Sequence, residues 1–348
     1  MSVAEAGAAV RVAAPPAAAA EAHEPPEARG LERDAVAMLV ASRADGGLVH
    51  ARFRDLPRFL EPGDLIVVNT SATLPAALDA SLGGRSVELR LSTPAADGAW
   101  VVELRTAGGE PFGRPPIGAR VRLPGRAHAD LLAPFAGGGR LAVARLDLPE
   151  ELVAYLRRHG RPIRYGYVAD EWPLDAYQTV FAREPGSAEM PSAARPFTAE
   201  LVTELVTRGV LLAPVVLHTG VSSPERGEPP YPERYSVPAA TARIANAVHG
   251  WGGRVIAAGT TVVRALETVA GEGGAVEAGG GWTSLVVNAR RGLRAVDGLL
   301  TGWHAPDSSH LDLLEAAAGA DLLARAYREA RERGYLLHEF GDTHLVLP

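Results

Sequence analysis

The stretch Arg254-Val-Ile-Ala-Ala-Gly-Thr-Thr-Val-Val-Arg-Ala-Leu-Glu267 leaves this chain few ways to fold. Val255 to Ala258 is a short apolar run suited to a buried strand, and residues 262–269 repeat apolar side chains at helical spacing. Gly259, Thr260 and Thr261 stand between the two. A turn entering a helix through a Thr N-cap leaves backbone N–H groups and hydroxyls at the positive end of a helix dipole. That end can seat a carboxylate or a phosphate. An ordinary capped strand-turn-helix unit is the plainer reading.

The same alternation runs through the second half of the chain. Helical patterns over 149–160, 196–208 (opened by Thr198), 241–249 and 309–333 alternate with strand-like runs over 210–217, 255–258 and 284–288. This predicts an α/β fold with a mainly parallel sheet. Upstream, 37–42 and 48–53 read as a hairpin, and 64–69 as an apolar strand ending on the polar Asn69. Strand C-termini in such sheets are common places for functional groups. Short alternating runs over 86–91, 99–104, 120–123 and 140–146 predict a small antiparallel β-barrel inserted at 74–148. The α/β domain is then discontinuous, 31–73 with 149–348. Residues 1–30, rich in Ala and Pro, read as a disordered extension. The Pro-rich loop 221–238 suits a rigid wall or lid.

Composition removes several function classes. With 348 residues and 47% hydrophobic content, a large core is available. No run of roughly 18 apolar residues exists, so no membrane span is expected. There is no cysteine, hence no disulfide, thiol nucleophile or thiolate metal site, which fits a cytoplasmic protein. There is no lysine either, which excludes a Schiff-base mechanism. The net charge of −6 argues against a nonspecific nucleic-acid coat and leaves room for a local basic face. Walker, dinucleotide-binding and zinc-protease motifs are absent, and the scattered His residues do not predict a metal site. A His at a strand end followed by Gly, as in Leu217-His-Thr-Gly220, stands out from the others.

Several pieces together resemble the S-adenosylmethionine:tRNA ribosyltransferase-isomerase family of queuosine biosynthesis. They are Phe53-Arg-Asp-Leu-Pro57, Pro62-Gly-Asp-Leu65 running into Val68-Asn69, Tyr177-Gln-Thr-Val180, Glu184-Pro-Gly-Ser187, Leu217-His-Thr-Gly220, the stretch 254–264, Gly281-Trp-Thr283, Val296-Asp297 with Leu299-Leu-Thr301, and Gly341-Asp342. They occur in family order from about Arg33 to the C-terminus. The resemblance implies an α/β domain with an inserted barrel. It also implies transfer of the ribosyl unit of S-adenosylmethionine to a 7-aminomethyl-7-deazaguanine in a tRNA anticodon loop, with adenine and methionine released. S-adenosylmethionine is then a substrate, and no cofactor is expected.

That chemistry asks for a base near the acidic 5′ C–H beside the sulfonium, and for a proton donor to adenine. On the resemblance, His218 is the expected base, with Asp342 and Asp297 as acid or orienting groups. Thr260 and Thr261 would take the methionine carboxylate with Arg264 nearby, and Tyr177 and Trp282 would hold the sulfonium or stack adenine. Asn69, Gln178, Glu233, Thr283 and His304 complete the expected substrate-binding set.

The chain also departs from the family pattern. It reads Asn69-Thr-Ser-Ala72 for the usual Asn-Asp-Thr-Arg, and Pro196 stands where a family His is expected within 191–198. Ser222-Ser-Pro224 stands for Gly-Thr-Phe. Glu228-Pro-Pro-Tyr-Pro-Glu233 keeps only the Glu of His-x-x-His-x-Glu, and Thr301-Gly-Trp-His-Ala-Pro-Asp-Ser308 stands for Thr-Asn-Phe-His-Leu-Pro-Lys-Ser. Losing imidazoles removes groups that titrate near neutrality. A divergent paralogue acting on a small-molecule acceptor, and a non-catalytic binding protein, are therefore the alternatives to the tRNA reaction.

Overall fold

The central strands are apolar on both faces, so both faces need covering. In the computed structural model, which describes residues 20–135, 139–221, 231–305, 308 and 310–348, they lie inside a nine-stranded sheet. Its order is Gly279–Thr283, Glu233–Val237, Leu211–His218, Leu65–Asn69, Val255–Ala258, Gly298–Gly302, Thr343–Leu347, Ala37–Ser42, Leu48–Arg52. Leu211–His218, Leu65–Asn69, Val255–Ala258 and Gly298–Gly302 run parallel. The flanks bring antiparallel pairings, so the sheet is mixed.

Alternation along the strands sorts the core into two layers. Leu65, Val67, Val215 and Ala257 pack on the side of helices Ala239–Gly250 and Thr260–Thr268. Ile66, Val68, Ile256 and Ala258 pack on the other, against Phe53, Phe197, Leu201 and Leu205. Each of the Leu, Ile, Val and Phe side chains, fully buried, stabilises the fold by roughly 1.5–3 kcal/mol.

The chain leaves the sheet after Asn69 and builds the barrel. Ala77–Leu82, Arg85–Pro94, Trp100–Thr106, Leu141–Asp147, His128–Pro134 and Arg120–Arg122 pair in that order, and Arg120–Arg122 closes on Ala77–Leu82. Leu89, Leu91, Val102 and Leu104 fill the interior. On the exit path, Ser71–Thr73 pairs in parallel with Glu184–Ser187. This small ladder fastens the barrel's root to the segment before Leu211–His218.

Several local expectations change. The strand expected at 284–288 lies instead at Gly279–Thr283, where pairing with Glu233–Val237 holds glycines that have little strand preference of their own. The helix expected over 309–333 is two, His310–Ala318 and Ala320–Glu332, parted by Gly319 at φ 79°. Ala77–Leu82 and His128–Pro134 are barrel strands that the pattern did not announce. Of the extension expected to be disordered, residues 1–19 lie outside the described residues, while 20–30 are packed. Ala22 is buried, Arg29 donates to the Phe340 carbonyl at 2.9 Å and Glu27 pairs with buried Arg195 at 2.9 Å. Residues 222–230 of the expected Pro-rich wall also fall outside the described residues.

Candidate active site

Parallel strands bring their C-terminal ends to one edge, and the polar residues that end them meet there. Asn69, fully buried, replaces backbone where two strands diverge. Its Nδ2 donates to the Leu217 carbonyl at 2.8 Å, and its Oδ1 accepts the Leu217 and Ser71 amides, each at 3.0 Å. Nδ2 also reaches Thr261 Oγ1 at 3.3 Å. One amide therefore ties the ends of Leu65–Asn69 and Leu211–His218 to the start of helix Thr260–Thr268.

That helix begins differently from expectation. Gly259, at φ 111°, is the N-cap, and its carbonyl accepts the Val262 and Val263 amides at 3.1 and 3.2 Å. An L side chain rarely adopts that φ, so the turn depends on glycine. The Thr hydroxyls are consequently not spent on capping, and the N–H groups of Thr260 and Thr261 lie at the edge where Val255–Ala258 ends.

His218 ends its strand half-buried. Its Nδ1 is 2.7 Å from Ser71 Oγ, which is 2.6 Å from Ser187 Oγ, and Ser187 Oγ accepts the Thr219 amide at 3.0 Å. This chain fixes the ring through Nδ1 and leaves Nε2 without a hydrogen-bond partner among the described residues. Gly186 packs flat on the imidazole, where a Cβ would lie 2.4 Å from Nδ1. Burial, and then the positive charge of Arg234, lower the His218 pKa and keep the ring neutral near pH 7. Ser71, Ser187 and Gly186 were not singled out as site residues, although Glu184-Pro-Gly-Ser187 contained two of them.

Behind this row lies a second buried group. Glu233 accepts the Gly220 amide at 3.0 Å and pairs with Arg264. Burial raises its carboxyl above the usual range against the pull of Arg264. Arg264 also donates to the carbonyls of Leu285, Tyr231 and Thr283, at 3.2, 3.3 and 3.2 Å. The guanidinium expected near a methionine carboxylate is thus occupied, and it clamps the helix to the flanking segments. Thr283 is buried and shares a 2.6 Å hydroxyl contact with Thr268.

Other expected residues divide between near and far. Asp342 lies at the same edge, because Thr343–Leu347 runs antiparallel to Gly298–Gly302 and starts where that strand ends. Its oxygens accept the Ala37 and Leu336 amides at 2.7 and 2.8 Å, and burial, outweighing those bonds, raises its pKa. A small cleft of about 10 Å³ adjoins it, lined among others by Ala193, Arg195, Gly302 and His338. His304 follows Gly298–Gly302, 3.3 Å from Thr301 Oγ1, and stacks on His310 with centroids 4.4 Å apart. Burial and then His310 and His338 push His304 far below its ordinary pKa, and burial with Arg264 lowers His310 to about 4.

Asp297 sits at the opposite edge. It accepts the Val255 amide at 2.8 Å and pairs with His249 at 2.9 Å, where Val255–Ala258 begins. Tyr177 is buried against Phe340, centroids 5.1 Å apart, and presents no open face. Gln178 spends its amide on both backbone groups of Thr73, at 3.0 and 2.8 Å. Trp282 is 48% exposed on the outermost strand.

A helix start suited to an anion and a fixed imidazole at the strand-end edge of a barrel-bearing α/β sheet make a candidate active site of an α/β enzyme. The family model described as queuosine biosynthesis protein matches residues 16–346. The S-adenosylmethionine:tRNA ribosyltransferase-isomerase of Moorella thermoacetica is 38% identical, over 90% of this chain and 94% of that protein. That of Thermus thermophilus is 37% identical, over 93% and 97%. The crystal structure of an S-adenosylmethionine tRNA ribosyltransferase from Thermotoga maritima superposes with a TM-score of 0.52 at 29% identity, covering 94% of this chain and 96% of that one. The chain belongs to the queuosine biosynthesis protein family of S-adenosylmethionine:tRNA ribosyltransferase-isomerases.

Proposed function

We propose that this enzyme moves and isomerises the ribosyl unit of S-adenosylmethionine onto 7-aminomethyl-7-deazaguanine in a tRNA anticodon loop, giving epoxyqueuosine and releasing adenine and methionine. The observation that carries the reading is the serine-held His218 beside the open start of helix Thr260–Thr268. His218 Nε2 takes the proton of the 5′ carbon, whose C–H the sulfonium acidifies; a neutral imidazole is the state that can accept it. The methionine carboxylate lies on the Thr260 and Thr261 N–H groups and hydroxyls. Asn69 sets the distance between these two halves. Asp342 acts as an orienting group at the adjoining cleft, since both its oxygens already hold amides.

Among the described residues no helix is long and apolar enough to cross a membrane. The reading puts the enzyme in the cytoplasm with its tRNA. The small-molecule and binding-only alternatives rest on the motif departures alone, whereas relatives spanning nine tenths of the chain are named for the tRNA reaction. Mass spectrometry of adenine and methionine tests the proposal. Release is expected only with tRNA bearing the aminomethyl-deazaguanine. Release without RNA would transfer the reaction to a small acceptor, and no release with that tRNA would remove the catalytic reading.

A further inference from the structure

Three residues stand in one cross-strand row at the sheet's outer flank. His218 is opposite Arg234, and Arg234 is opposite Trp282. Directly opposed residues on adjacent strands point to the same face, so imidazole, guanidinium and indole line up from the site to the sheet edge. At the strand spacing the row is roughly 10 Å long. The alternate face is already taken, because Glu233, beside Arg234, turns towards Arg264 and its helix.

Arg234 is exposed and its guanidinium, among the described residues, has neither an ion pair nor a hydrogen bond. The charge is nonetheless close enough to His218 to help lower its pKa. Trp282, 48% exposed, is the large aromatic of the edge strand, and Gly280, two residues before it on the same face, has no side chain to cover the indole. Nothing in the fold requires a free guanidinium or an open indole at these positions. Together they match a single-stranded RNA loop, in which phosphates need cations and unstacked bases need flat apolar faces.

We propose that Arg234 and Trp282 form an acceptor ledge. Arg234 takes a phosphate next to the reacting nucleotide, Trp282 stacks a neighbouring base of the anticodon loop, and His218 stands at the inner end. The inference rests on the tRNA reading above and assigns the surface on which that RNA lies.

The test uses the full chain, an anticodon stem-loop carrying the aminomethyl-deazaguanine, fluorescence anisotropy over a salt series, and steady-state kinetics. Arg234→Ala is expected to weaken RNA binding and lower the slope of log affinity against log salt by about 1. Trp282→Ala is expected to weaken binding about 5- to 100-fold with the salt slope retained, and Trp282→Phe to restore most of it. Both side chains are exposed, so melting temperatures stay near wild type. Wild-type affinity and slope in both Ala variants would overturn the ledge alone. So would losses confined to the KM of S-adenosylmethionine, which would make the row part of the nucleoside site. No RNA binding by the wild-type protein would overturn the ledge and the tRNA reading together.

Discussion

The two edges of the central strands carry similar residues and put them to opposite uses. At the N-terminal edge, Asp64 accepts the amides of Glu61 and Arg254 at 2.8 and 3.0 Å and pairs with the Arg254 guanidinium. Burial raises that carboxyl, but the hydrogen bonds from Arg254, with those of the two amides, outweigh it and hold it below its usual range. Asp297 is engaged in the same way by Val255 and His249. At the C-terminal edge, the helix Thr260–Thr268 starts without a side-chain cap and Nε2 of His218 has no hydrogen-bond partner among the described residues. Strand direction, and not residue type, separates the clamp from the site: in a parallel sheet only the C-terminal ends open onto a crevice.

Removing the base is the severest test of that division. His218→Ala is expected to lower product release by roughly 10²- to 10⁴-fold with little change in melting temperature. A kcat within threefold of wild type would show that the proton goes elsewhere. Arg264→Met comes next and crosses the division, because Arg264 stands beside the site yet behaves as a clamp. It leaves Glu233 buried without its cation, at a cost of about 3–5 kcal/mol in urea unfolding. Unchanged stability with a raised KM for S-adenosylmethionine would return Arg264 to the binding set. Asp297→Asn, at the far edge, is expected to cost about 1 kcal/mol of stability and to leave turnover per folded molecule intact. A large loss of turnover there would break the comparison outright.

The comparison also explains how much was legible in the sequence. Residues 37–42, 64–69, 210–217 and 255–258 announce themselves because both faces of a central strand are apolar. The barrel was visible as a class of structure, but Ala77–Leu82, which alternates Leu78, Ala80 and Leu82 with Asp79 and Ser81, is a weak signal because alanine and aspartate have little strand preference. Asp297 and His218 flank strands equally in the sequence, and only the sheet's pairing shows which end each occupies. Ser71 and Ser187 are 116 positions apart and meet through the ladder between Ser71–Thr73 and Glu184–Ser187, which no local pattern encodes. The cap is Gly259 and not the expected threonine, since a positive φ is a property of backbone path that a Gly-Thr-Thr string permits without requiring.

The smallest expected effect joins the inner site to the outer strands. His218 has a folded pKa below its ordinary 6.5, by burial first and by Arg234 second. A base with this property loses activity as pH falls through the folded value, so the acid limb of kcat/KM lies below pH 6.5. The stability sign follows from the same shift. Between the folded pKa and 6.5 the unfolded chain binds a proton that the folded chain refuses, so the contribution to stability is full above 6.5 and declines as pH falls through that window. Arg234→Ala removes the cation but not the burial. Its acid limb therefore moves upward towards 6.5, while His218 stays below it. A limb that does not move would mean that burial alone sets the base, and that the cross-strand row carries geometry without electrostatic coupling.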